Sequence, residues 1–269
     1  MKKYYLITGG NGYIGQNLYW RQWSNHGINC NFTICDKNTI LPPAHKLKHE
    51  HLEGYDGVIH FAALSGIDAC EKSPELACID NIMSAGNVFS LATDLGIPVI
   101  FTSSQAAKNP HSSIYANTKW ACEKLADYYN HCKGNIYVVR LANVYGSDNY
   151  LEKKNTCVKQ FISRYRQKQP FIIHGNGEQK RDFVHVFDVC EAIYKIINKQ
   201  PNYFSPIDIG TGNKISILDL KNMFPYHECE FIEERSSGVD SSVADISIIE
   251  KLIDYKPKRK LEDYIKCMI

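Results

Sequence analysis

The feature that constrains this chain most is its first turn. Tyr4–Thr8 is a short apolar and aromatic run that leads directly into the glycines of "TGGNGYIG", Thr8–Gly15. Gly10, Gly12 and Gly15 form a G-x-G-x-x-G pattern, after a strand and before a helical pattern running from about Ile14 to Asn25. Glycines so spaced allow a tight turn and close backbone approach to a diphosphate, which the helix N-terminus then stabilises. Asn31–Cys35 reads as the second strand and ends at Asp36, 21 residues beyond Gly15. A carboxylate there accepts hydrogen bonds from a ribose diol and repels a 2′-phosphate, so NAD is expected in preference to NADP. Lys37, its neighbour, leaves a little room for the phosphorylated form.

The rest of the first half repeats the alternation. Gly57–Ala63 is a continuous apolar run, Pro74–Leu95 a helical pattern closed by Gly96, "PVIFTSS" a strand, Ile114–Cys132 a helix and "NIYVVRLANVYG" a further strand. Buried strands alternating with helices predict an α/β fold, a Rossmann-type doubly wound parallel sheet. From about residue 147 the pattern loosens into shorter pieces: Lys159–Gln167, Phe171–His174, Val189–Asn198 and Ile217–Phe224. The expected division is a cofactor-binding domain over 1–146 and a small C-terminal substrate lobe over 147–269, with some chain returning to the first.

Composition removes several function classes. A formal net charge of +2 over 269 residues gives no electrostatic reason to expect nucleic acid. The ten cysteines are scattered with no C-x-x-C pair, so zinc and redox-motif spacings are absent and no metal is expected. The apolar run in "MKKYYLIT" is too short for an export signal or a membrane span. Reduced thiols in the cytoplasm are the expectation.

Chemistry enters with "SSIYANTKWACEK", Ser112–Lys124. Tyr115 and Lys119 stand at i and i+4 of a helix, on one face. A phenol is a poor base at neutral pH, and a fixed cation beside it favours the phenolate. Ser104 ends the preceding strand, and ligands of a doubly wound sheet bind beyond the carboxyl ends of its strands. The three then converge: Ser104 to hold a substrate oxygen, Tyr115 to move a proton, Lys119 to lower the phenol pKa and reach a ribose. Asp188 precedes a helical run and reads as an N-cap. His60 and His185 lie in apolar strands and read as structural.

These stretches, with "VIHFAA", "RLANVYG", "GNGEQKRDFVHVFDV", "DIGTG" and "VADIS", resemble extended short-chain dehydrogenases of the nucleotide-sugar epimerase/dehydratase family, the UDP-galactose/UDP-glucose 4-epimerases among them. The resemblance runs nearly end to end. It implies that Tyr13, Ile14, Asp36, Phe61, Ala62, Ala63, Asn81, Tyr115, Lys119 and Ala142 line NAD. It also implies that Asn143, Asn155, Arg181 and Arg235 hold a nucleotide-diphosphate sugar, a role for which guanidinium forks are suited. A homodimer packed through residues 81–95 and 114–132 is implied as well.

Two departures bear on specificity. Only 23 residues separate Asp36 from His60, where relatives insert another strand carrying an adenine-contacting Asp, and Ser104 stands only 11 residues before Tyr115. Ser104 is followed by Gln105 and Ala106, neither of which supplies the acid and base that a 4,6-dehydratase needs there. The expected reaction is therefore 4-epimerisation: oxidation at C4 to a keto sugar, then return of hydride to the other face. A 4-ketosugar reductase, favoured by "SGIDACEKSPELA", stays open as the alternative, and an NAD-binding sensor without turnover as the third.

Overall fold

A computed structural model of the chain describes residues 2–21, 30–146, 156–225, 228–233 and 241–269, without the side chains of 241 and 242. Six parallel strands form its main sheet: β1 (Lys3–Thr8), β2 (Cys30–Cys35), β3 (Gly57–His60), β4 (Val99–Ser104), β5 (Ile136–Leu141) and, from far along the chain, β10 (Ile207–Ile209). Their order is β10-β5-β4-β3-β1-β2, so the winding reverses between β1 and β3. A crevice opens at such a reversal, at the carboxyl ends of the strands.

The pleat divides the strand side chains between two layers. Tyr5, Ile7, Ile59, Ile100 and Val139 face helices α1 (Tyr13–Arg21), α7 (Val186–Lys199) and α9 (Ser247–Ile253). Leu6, Val58, Val99, Phe101 and Val138 face α4 (Ser84–Leu95), α5 (Ile114–His131) and the 3₁₀ turn Ala44–Lys46. Burial on both faces explains why these strands read as continuous apolar runs.

A second core lies around β7 (Phe171–His174), β9 (Phe183–His185), α6 (Cys157–Arg166), α8 (Ile217–Asn222) and α10 (Leu261–Met268). Phe161, Phe171 and Phe224 pack ring on ring there. Short pairings complete it: β6 (Asn143–Tyr145) with β9, β12 (Cys229–Ile232) with β7, and β8 (Lys180–Arg181) between β11 (Ile215–Ser216) and β13 (Ser241–Ser242).

The structure corrects several boundaries. The run Gly57–Ala63 leaves the sheet at His60, and Phe61–Ala63 turn outward over the crevice. The helix expected over Pro74–Leu95, closed by Gly96, is present from α3 (Pro74–Ala77) through α4, with α2 (Ile67–Lys72) before it and a π turn over Cys78–Met83 inside it. The helix placed at Val189–Asn198 begins three residues earlier. Asp188 therefore does not cap it; the His185 ring accepts the Phe187 N–H instead. Asp188, fully buried, takes Arg259 and the backbone amides of Lys258 and Arg259. Part of the helix from Ile14 to Asn25 lies outside the described residues.

Both histidines read as structural are buried. His60 Nδ1 shares a 2.6 Å hydrogen bond with Thr8 Oγ1, and its ring stacks on Phe101. Burial, with Lys119 nearby, holds its pKa down to about 3; burial and the guanidinium groups of Arg259 and Arg21 hold His185 down to about 4. Both values lie below that of an unfolded histidine, about 6.5, so the unfolded chain takes up these protons first. Their contribution to stability is complete above about pH 6.5 and is lost as pH falls toward 4. Thermal melts across that range should show a falling Tm, with each histidine contributing about 1.4 kcal/mol per pH unit. A flat profile would contradict the buried, neutral assignment.

Candidate active site

The crevice is a cleft of about 790 Å³ at the carboxyl ends of β1–β5. Its first wall is the glycine turn. Gly9, rather than Gly10, has the left-handed backbone (φ +67°), and a Cβ on it would lie 2.5 Å from the Ala62 nitrogen. Gly10 is packed away from the cleft, where a Cβ would strike the Ile34 side chain at 2.7 Å. Gly12, Tyr13, Ile14 and Gly15 line the cleft at the start of α1, so the positive end of the helix faces into it. Gly9 was missed in the sequence because the G-x-G-x-x-G spacing starts one residue later.

Asp36 closes this end. Its Oδ2 accepts the Asn11 N–H at 2.9 Å and its Oδ1 accepts the Lys37 N–H at 2.7 Å, which ties the carboxylate to the glycine turn. In place of a further strand, the chain makes two 3₁₀ turns, Ala44–Lys46 and His49–His51, and the first brings Pro43, Ala44 and His45 to the cleft. Asp80, from the π turn, joins them and pairs with Lys37. The sequence offered no pattern for these four residues, since the turn and the π turn lie far apart along the chain.

Phe61, Ala62, Ala63 and Ala142 line the middle of the cleft. Asn81 does not. It is buried behind them, where its amide carbonyl accepts the Leu64 N–H at 2.7 Å and its NH₂ donates to Leu64 O and to Thr118 Oγ1. It fastens the turn after β3 to α5, one residue before Lys119.

Ser104, Tyr115 and Lys119 all reach the cleft. Ser104 Oγ accepts the Ala106 N–H at 3.2 Å, and its hydroxyl is near enough to the Tyr115 phenol to favour the phenolate. That effect pulls the phenol pKa down, but burial dominates and pushes it up to about 12. The expectation that Lys119 lowers it is not met, since burial decides the direction of the shift. The Lys119 ammonium donates to Thr102 O at 2.8 Å and lies 5.0 Å from the Phe101 ring centre. One turn further along α5, buried Glu123 accepts hydrogen bonds from Ser103 Oγ at 2.6 Å and Arg140 Nε at 2.9 Å. This network bolts the Tyr115–Lys119 helix to β4 and β5.

Asn143 and Arg181 line the far end with Thr156, Cys157, Val158 and Phe183. Asn143 is fixed by donating to Asp182 O, and buried Asp182 accepts from Thr211, Gly212 and Ala244. Asn155 and Arg235 lie outside the described residues. Cys157, Val158 and Phe183 were not singled out in the sequence, because apolar residues carry no signal of their own.

The donor set fits a dinucleotide. The glycine turn leaves room beside a helix N-terminus for a diphosphate, and Asp36 offers a fixed acceptor for a diol. Residues 5–210 match the sequence model of the "NAD dependent epimerase/dehydratase family". The chain belongs to this family. A putative UDP-glucose 4-epimerase of Methanocaldococcus jannaschii is 26% identical, over 98% of this chain and 96% of its own. A UDP-glucuronate 4-epimerase of Thermodesulfobacterium geofontis is 28% identical over 78% and 70%. The fold is shared with the UDP-N-acetylglucosamine 4-epimerase of Methanobrevibacter ruminantium, solved with UDP-N-acetylmuramic acid (TM-score 0.85, 24% identity, 99% and 97% covered). Among the described residues, no helix is long and apolar enough to cross a membrane.

Glu123→Ala would leave the Arg140 guanidinium largely buried without its partner. The expected loss is about 3–5 kcal/mol of stability, measured by urea unfolding. A loss below about 1 kcal/mol would show that the network is not what holds α5.

Proposed function

We propose that the chain is a nucleotide-sugar 4-epimerase that uses NAD and acts on a UDP-sugar. The observation that carries this reading is the convergence of Ser104, Tyr115 and Lys119 on the cleft that the glycine turn and Asp36 also line. When bound, NAD supplies a hydride acceptor that carries positive charge. A cation in the cleft counters the desolvation that raises Tyr115. Tyr115 then takes the C4-hydroxyl proton as the carbonyl forms, and returns it when the carbonyl is reduced. Ser104 holds the same oxygen. Lys119 is fixed at the tyrosine's side of the cleft by donating to Thr102 O.

The positions after Ser104 hold no second acid. Gln105 is buried, with its amide directed at Arg140 O, and Ala106 ends in a methyl group. This supports epimerisation over dehydration. In the division proposed, residues 1–146 hold the cofactor and 147–269 mainly the nucleotide and sugar, with Asn143 and Arg181 toward the substrate. Exposed Met83, Trp120 and Tyr128 support a homodimer packed through residues 81–95 and 114–132. Ten cysteines, none of them joined in a disulfide, suit a reducing compartment such as the cytoplasm.

Incubation with UDP-glucose, UDP-GlcNAc or UDP-glucuronate, without added cofactor and read by anomeric proton NMR, should yield a 4-epimer. Tyr115→Phe should lower the rate about 10²–10⁴-fold. No epimer from any of the three, with NADH consumed by a 4-keto sugar, would establish the reductase instead.

A further inference from the structure

Lys37 follows the carboxylate that meets a ribose diol, and a cation in that place suits a 2′-phosphate equally well. The fold gives it a partner. Lys37 Nζ lies 2.9 Å from Asp80 Oδ2, and both residues line the cleft at the end where Asp36 stands. The two members differ in freedom: the lysine side chain is 64% exposed and the aspartate 12%. Asp80 is the fixed end, held in the π turn between α3 and α4, and Lys37 reaches to it from solvent. Asp36 is itself fixed by the Asn11 and Lys37 amides.

We infer that Asp80 is a positioning residue for cofactor choice: by holding the Lys37 ammonium, it denies that cation to a 2′-phosphate and keeps the cleft selective for the unphosphorylated dinucleotide. The inference rests on the cofactor reading above. Asp36, Asp80 and Lys37 together leave one net negative charge at this end. A free diol needs only an acceptor, which Asp36 provides. A 2′-phosphate brings nearly two further negative charges and needs an unengaged cation. To recruit Lys37 it must detach the ammonium from Asp80, leaving a largely buried carboxylate unpaired, which is costly. An ion pair this exposed on one side does little for stability. Its effect is on the charge that a ligand meets. Sequence reading favours NAD through Asp36 but leaves the role of Lys37 undecided, because Asp80 stands 43 residues from Lys37 and no local pattern joins them.

The test is calorimetric titration of nucleotide-free protein with NAD and with NADP, which involves no turnover. Wild type should favour NAD. Asp80→Asn should tighten NADP on the order of tenfold, the effect of about 1.4 kcal/mol, with NAD changed less than about twofold. Adding Lys37→Met to Asp80→Asn should abolish that gain, and Asp80→Glu should keep the wild-type ratio. A structural role alone would shift both nucleotides together. An unchanged NADP-to-NAD ratio in Asp80→Asn, or a gain that survives the loss of Lys37, overturns the inference. Should Asp80→Asn not fold, Lys37→Met alone decides: NADP affinity unchanged supports the pinned lysine, and NADP affinity reduced overturns it. Wild-type protein that binds neither nucleotide would instead defeat the cofactor reading itself.

Discussion

The turns that leave β1 and β3 pass so close that no side chain fits between them. A Cβ on Gly9 would fall 2.5 Å from the Ala62 nitrogen, inside any permissible contact. Because the two strands are neighbours at the point where the winding reverses, this near-contact sets the floor of the crevice. It also sets the direction in which α1 leaves, so the helix N-terminus and Asp36 meet at one end of the cleft. The Thr8–His60 hydrogen bond lies just beneath and joins the same two strands through side chains. A bulkier residue in this turn would therefore disturb the sheet and the ligand site together.

The far wall depends on charge that has been buried and matched. Glu123 is almost fully buried, which is tolerable only because Arg140 and Ser103 satisfy it. Such a pair adds little net stability over an apolar one, but it specifies where α5 lies against the sheet. Tyr115 and Lys119 are on that helix, and Asn81 ties its Thr118 to the turn after β3. The face of α5 that carries Tyr115 and Lys119 is held from two sides by groups that do not line the cleft. Tyr115, half-buried at the edge of the cleft, has its phenol pKa raised by burial. The groups around it in the fold, and not its place in the sequence, set its basicity.

Shortening the segment after β2 changes the diol end rather than removing it. Two 3₁₀ turns occupy the place of a strand, and Pro43, Ala44 and His45 line the cleft from the first of them. Asp80 completes that end from the same layer of the fold, through its contact with Lys37. The compensation comes from a π turn within a helix, a local departure often found at functional sites.

The alternation of apolar runs and helical patterns, the glycine turn, Asp36, Ser104, Tyr115 and Lys119 were all legible in the sequence. Each is a short-range pattern: a periodicity, a tight turn, or two residues one helical turn apart. Strand and helix cores followed for the same reason, while boundaries at His60, Val186 and the π turn did not, since packing against neighbours decides where an element stops. What tertiary structure alone decided are the pairings between distant segments. Asn81 turned out to be a fastener because Leu64 and Thr118 flank it, and Asp188 an ion-pair partner because Arg259 arrives from near the chain's end. The raised phenol of Tyr115 and the held ammonium of Lys37 belong to the same class. Protonation and ion pairing depend on what surrounds a group in space, and a linear sequence states only what precedes and follows it.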